Sequence, residues 1–147
     1  MADTKTPAER SENMSRIRST NTKPEEIVRK YLFSKGFRYR KNDKRYPGKP
    51  DIVLPKYRTV IFVNGCFWHG HQGCKYFVPP KTNTDFWNAK FKYNQERDER
   101  NYQKLRDMGW RVLIVWECEI RHGNATLALG KLKAEILEKQ HENRTNI

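Results

Sequence analysis

The chain has 147 residues, enough to bury one core and too few for two ordinary domains. Thirty Lys+Arg against 17 Asp+Glu leave a formal charge of +13, with a net of +8 in residues 1–49, so the expected partner is a polyanion. A mean hydropathy of −1.00 argues against a helical membrane protein, and 12% aromatic residues argue against a disordered tail, because the rings must pack or stack on something.

Residues 1–21 are polar and basic, with only Met14 and Ile17 to bury, which predicts an arm that is mobile until it meets nucleic acid. Residues 22–147 are expected to form a single domain. Thr22-Lys23-Pro24-Glu25 has the parts of a helix start: a hydroxyl cap, proline in the first turn and acids at the positive end of the dipole. Ile27, Val28, Tyr31 and Leu32 form an apolar stripe at helical spacing, and Gly36 stops it. FRYRK, residues 37–41, alternates as a half-buried strand would, and a basic, turn-rich stretch follows. Asp51-Ile-Val-Leu and Thr59-Val-Ile-Phe-Val are β-branched runs joined by Pro55-Lys56-Tyr57-Arg58, which predicts a hairpin of buried strands. A long helix is expected from Thr84, as cap, to about Met108, with Gly109 ending it. WRVLIVWE, residues 110–117, is apolar enough to lie in the middle of a sheet. Asn124 then caps a last helix with Leu129, Leu132 and Ile136 on one face. The order predicts an α/β domain with a central mixed β-sheet flanked by helices.

Between the second long strand and the long helix lies GCFWHGHQGC, residues 65–74. Cys66, His71 and Cys74 are spaced x4 and x2, and Cys118 is the remaining cysteine, so three thiolates and an imidazole make a closed set suited to structural zinc. By spacing, either His69 or His71 can be the fourth ligand, with a slight preference for His71. The odd cysteine count opposes a disulfide framework, and with no secretory h-region the expected compartment is the cytoplasm. Asp51 opens a strand, where propensity disfavours a carboxylate. Asp98 shares an inward stripe with Phe91, Tyr102 and Leu105. Two such acids can hold Mg²⁺ against a phosphodiester, with the surplus His69 imidazole moving a proton. Phe67, Trp68, Phe86 and Trp87 lie among Lys75, Lys81, Lys90 and Lys92, which is material for stacking on bases or wedging between them. Lys90 and Asn94, one turn apart, form a face that can reach base edges.

Asp51, GCFWH, the Cys/His set, FW at 86–87, ERD at 96–98 and GWRVLIVWEC at 109–118 together resemble the very-short-patch repair (Vsr) DNA mismatch endonucleases, over about residues 12–121. The resemblance implies a restriction-endonuclease-like core, a structural zinc and Mg²⁺-dependent nicking 5′ of the T in T:G mismatches left by 5-methylcytosine deamination. It implies Asp51 as the metal-binding carboxylate, His69 and Asp98 as aids to cleavage, and Glu25 near the scissile phosphate. It places zinc on Cys66, His71, Cys74 and Cys118. It makes Phe67, Trp68 and Trp87 wedges at the mismatch, Lys90 and Asn94 readers of neighbouring bases, and Met14 and Arg16 part of an arm closing over the minor groove. A MutL-type repair factor and a cytosine-5 methyltransferase are the implied associates, and a monomer suits a mismatch without twofold symmetry. Where the best-known members carry Thr-His before GCFWH, this chain has Val63-Asn64. A main-chain carbonyl given to Mg²⁺ is the same from Val63, whereas Asn64 cannot titrate and leaves the acid/base duty to His69. The alternative reading is a non-catalytic zinc-containing DNA-binding module that recognises distorted or mismatched DNA; it leaves Asp51, His69 and Asp98 without a purpose.

Overall fold

The computed structural model describes residues 22–75, 77–121 and 124–145. The arm expected over residues 1–21, with Met14 and Arg16, lies outside them. Helix α1 spans Lys23–Ser34 and opens with a reciprocal capping box between Thr22 and Glu25, as the TKPE signature predicts. Strands β1 (Arg40–Lys41), β2 (Ile52–Leu54) and β3 (Thr59–Asn64) run antiparallel in that order. Helix α2 (Thr84–Asp107) carries the crossover to β4 (Arg111–Trp116), which pairs parallel with β3 from Thr59↔Arg111 to Asn64↔Trp116. A short helix α3 (Glu117–Arg121) and helix α4 (Ala125–Thr145) complete the described chain.

The period-2 alternation of the strands fills both faces of this mixed sheet. Ile52, Leu54, Ile61 and Val115 meet Val28 and Leu32 of α1, Ile120 of α3 and Leu129, Leu132 and Ile136 of α4. On the opposite face Val53, Val60 and Phe62 meet Tyr102 and Leu105 of α2, with Trp110. Each fully buried Leu or Ile among them contributes about 1.5–3 kcal/mol relative to exposure. Helices therefore cover the sheet on both sides, and the loop of residues 65–74 sits at the end of β3, over α2. Among the described residues no helix is long and apolar enough to cross a membrane.

Four expectations change. The strand at 37–41 shrinks to Arg40–Lys41, because Phe37 leaves the ladder to enter the core, its ring 5.3 Å from that of Tyr57. WRVLIVWE does not lie mid-sheet: β4 ends the strand order among the described residues, and helices on both faces account for its apolar run. It also stops at Trp116, whose N–H donates to Glu119 Oε1 at 3.1 Å and starts the unexpected α3. The long helix begins at Thr84, but its N-cap is Asn83 in the left-handed conformation, without a side-chain capping bond.

Candidate active site and metal centre

Asp51 immediately precedes β2 and is 9% exposed. Its Oδ2 accepts from Val63 N–H at 2.6 Å, two residues past Ile61 of the last β2–β3 pair, Ile52↔Ile61. A strand residue's N–H and C=O leave on the same edge, so the Val63 carbonyl emerges on the side of the Asp51 carboxylate, past the end of the ladder. Glu25, 1% exposed, comes to the same place from α1. Its Oε2 accepts from Thr22 N–H at 3.0 Å and Thr22 Oγ1 at 2.9 Å; Oε1 accepts from Asn42 Nδ2 at 3.1 Å and Arg29 Nη1 at 3.5 Å. Burial and the Glu25 carboxylate push Asp51 up to about 8, against the pull of the Val63 hydrogen bond. Burial alone would raise Glu25 too, but hydrogen bonds from Thr22, Asn42 and Asp51 outweigh it and hold Glu25 below its ordinary value. At neutral pH one proton thus sits on Asp51 and binds the two carboxyls together. Hard oxygen donors crowded into burial, with one acid forced neutral, fit a divalent cation such as Mg²⁺. Asn42 escaped the sequence reading. It holds φ +49, its N–H donates to Asp51 O at 3.0 Å, and its side chain reaches Glu25, so it ties the two acids to one turn.

The inward position expected for Asp98 is occupied as a partner of His69: Nδ1 lies 2.5 Å from Asp98 Oδ2, leaving Nε2 for other work. Arg97 Nη2, at 3.4 Å from Oδ1, supplies the second contact of Asp98. Asn64 is buried and its Nδ2 donates to Tyr102 Oη at 2.9 Å. Burial, opposed by that bond and reinforced by Asp98, Glu99 and Asp51, pushes the Tyr102 hydroxyl up to about 12, so it stays protonated amid the acids.

The metal-ligating atoms of Cys66, His71, Cys74 and Cys118 all lie within 4.8 Å of one another. A tetrahedral ion with bonds of about 2.0–2.3 Å can close that set. Burial and the adjoining Cys118 and Cys74 sulfurs push the Cys66 thiol up to about 12, and burial lowers His71, leaving a neutral imidazole fit to donate its lone pair. His71 lies flat on Trp116, centroids 3.9 Å apart and 5° between planes. His69 stands outside the cluster. The loop is shaped by His71 N–H on Cys66 O at 3.0 Å and by Gly70 and Gly73 at positive φ.

Phe67 is the hub of the rings, with Trp68 at 5.1 Å, Trp87 at 5.5 Å and Phe91 at 5.2 Å. Phe91 is the buried floor, Phe67, Trp68 and Trp87 are half-buried on top of it, and Phe86 is 62% exposed at the side. Lys90 is exposed, its ammonium 5.7 Å from the Tyr93 ring centroid. The common outer face expected for Lys90 and Asn94 divides: Asn94 is only 4% exposed, because the loop crosses α2 there and takes its Nδ2 onto Trp68 O at 2.8 Å. Gln95, also unforeseen, donates to Gly70 O at 2.9 Å and His69 O at 3.4 Å. One-residue side chain to main chain contacts across 25 residues leave no periodic signal in a sequence.

Known proteins point the same way. Residues 2–75 match the family model described as "DNA mismatch endonuclease Vsr". The chain is 56% identical over 122 residues to "Type II nicking enzyme V.NmeAIP" of Neisseria meningitidis serogroup A, covering 83% of this chain and 86% of that protein. It is 45% identical over 136 residues to "Type II nicking enzyme V.XorIIP" of Xanthomonas oryzae pv. oryzae, covering 92% and 95%. With "DNA mismatch endonuclease Vsr" of Escherichia coli K12 it shares 46% over 121 residues, covering 82% and 77%. With matches of that extent, the chain belongs to the Vsr DNA mismatch endonuclease family.

Proposed function

We propose that this DNA endonuclease is Mg²⁺-dependent and nicks 5′ of the T in T:G mismatches arising from 5-methylcytosine deamination, with structural zinc in the Cys66, His71, Cys74 and Cys118 clip. The observation that carries the reading is the buried Asp51–Glu25 pair, with the Val63 N–H on Asp51 Oδ2. Those oxygens would hold Mg²⁺, which when bound polarises the scissile phosphate and makes water a better nucleophile. His69, fixed through Nδ1 by Asp98, takes or delivers a proton at Nε2. Phe67, Trp68 and Trp87 wedge into the stack, and a mismatch lowers the unstacking cost, so it is selected before any base is read. Lys90 reaches the base edges directly, while Asn94 acts from beneath Trp68 until the loop moves; Met14 and Arg16 reach the minor groove from the arm.

The substrate chemistry implies a cytosine-5 methyltransferase acting upstream and a MutL-type repair factor downstream. The working form is a monomer in the cytoplasm, since one mismatch offers no twofold axis. A second reading, a zinc-containing module that binds mismatched DNA without cutting, is favoured by Asn64, a non-titrating amide spent on Tyr102. A nicking assay with Mg²⁺ on T:G and matched duplexes separates the two. Asp51→Ala is expected to abolish nicking and to leave mismatch binding within a few-fold. Equal nicking by wild type and Asp51→Ala would overturn the catalytic reading.

A further inference from the structure

We propose that Gln95 is a positioning residue for His69, and that with Asn94 it couples the wedge to the catalytic imidazole. The proposal rests on the proton-transfer role given to His69 above. Asn94, Gln95 and Asp98 lie on one stretch of α2 and face the loop that crosses it. Between them they take three successive carbonyls and one ring: Trp68 O on Asn94 Nδ2, His69 O and Gly70 O on Gln95 Nε2, and the His69 imidazole on Asp98 Oδ2. A loop has no ladder to satisfy such carbonyls, and Gly70 is buried, so a side-chain donor is needed there.

The approach is close: Gly70 holds φ +57, which favours glycine, and a Cβ there would lie 2.5 Å from Gln95 Nε2, so a side chain at position 70 would push the amide aside. His69 is thereby held at two points from one helix, its main chain by Gln95 and its ring by Asp98 three residues on. Neither grip uses an atom of the metal clip. Trp68 and His69 are consecutive, and the helix that grips them also carries Trp87 and Phe91 of the ring cluster. A displacement of the rings against DNA therefore moves the scaffold that aims the imidazole, so engagement of the wedge and alignment of the proton-transfer group are linked mechanically. Gln95 is the amide that makes this link stiff.

The test uses the full chain and four variants: Gln95→Met, which keeps length but removes the donor, Gly70→Ala, the double variant and His69→Ala. Single-turnover nicking of a T:G duplex with Mg²⁺, duplex Kd and zinc per chain are measured for each. Gln95→Met should lower the nicking rate by about 10- to 100-fold, the usual consequence of misaiming a reacting group by about 1 Å. Its Kd should stay within about twofold and its zinc content unchanged. Gly70→Ala evicts the Gln95 amide, so the double variant should nick no more slowly than Gly70→Ala alone. Wild-type nicking by Gln95→Met, or additive losses in the double variant, overturns the proposal. So does a Gln95→Met loss fully accounted for by weaker DNA binding or lost zinc, which marks a merely structural residue. If His69→Ala nicks at the wild-type rate, the assigned role of His69 falls and this proposal with it; if His69→Ala is inactive while Gln95→Met is normal, only the proposal falls.

Discussion

Asp51→Asn is expected to make the Mg²⁺-free fold more stable while removing its activity. The Asp51 carboxyl is pushed up to about 8 in the fold, from an ordinary value of 3.8 that it recovers on unfolding. Between those values the folded chain keeps a proton that the unfolded chain has released. The stabilisation it brings is fully present below about pH 4 and is lost as pH rises through about 8, at about 1.4 kcal/mol per pH unit. By pH 7.5 that amounts to about 5 kcal/mol. Glu25, below its ordinary 4.5, works in the opposite direction: its share is present above that value and is lost as pH falls beneath it, offsetting part of the deficit. Part of the deficit at Asp51 is thus left in the pair at pH 7.5. Asparagine keeps the shape and a donor toward Glu25, and has no proton to lose. In zinc-replete, Mg²⁺-free buffer its melting temperature should exceed wild type by about 5–10 °C at pH 7.5. The gap should narrow steadily by pH 5.5. Mg²⁺ at about 100 times its Kd should close it from the wild-type side, by about 2.7 kcal/mol. Thermal melts at pH 5.5, 6.5, 7.5 and 8.5, with and without Mg²⁺, supply the measurement. Were Asp51→Asn to melt below wild type by the same margin at every pH, the shared-proton account would be refuted.

Asp98→Asn keeps the shape beside His69 but removes the negative charge, and should slow nicking by about 10²- to 10⁴-fold at unchanged duplex affinity, read by single-turnover kinetics and titration. Cys118→Ser should release the metal from the clip and loosen α3 and the loop, visible as less than one zinc per chain and a lower melting temperature. Asn64→Ala strands the buried Tyr102 hydroxyl and should cost about 1–3 kcal/mol in denaturant unfolding. Trp68→Ala should reduce the preference for T:G over matched duplex by about tenfold in competition binding, with little change in the salt dependence set by phosphate contacts.

Much of this architecture can be read from the chain because its signals are periodic or chemically unambiguous. The TKPE cap, the β-branched runs and the Leu129/Leu132/Ile136 face are local, and local patterns survive without tertiary knowledge. The Cys/His set is equally plain, since a Gly-rich loop has no apolar reason to hold two cysteines. Asp98 is legible from its seven-residue spacing to Phe91 and Leu105, but spacing alone does not choose between His69 and an arginine as its partner, because His69 arrives from 29 residues away. Asn42 and Gln95 were invisible for the same reason: their work is a hydrogen bond to a carboxylate or a carbonyl brought near only by folding. Asn94 misled because helical spacing gives direction but not what crosses overhead. An apolar strand covered on both faces looks alike at the centre and at the edge, so the apolar run of β4 does not reveal that it ends the strand order among the described residues.

Cys66 follows the end of β3 by two residues, and Cys118 follows the end of β4 by two. An ion shared by those sulfurs would act as a cross-link around a loop of about 52 residues, the longest-range pairing the sheet must achieve. Removing that much freedom from the unfolded chain is worth about 4 kcal/mol on the scale used for covalent cross-links. Parallel pairing is ordinarily slow because its loop must close before any contact rewards it. Metal capture would close it early, with Asn64 already opposite Trp116, so the clip would set how fast the sheet assembles as well as how firmly the finished loop is held.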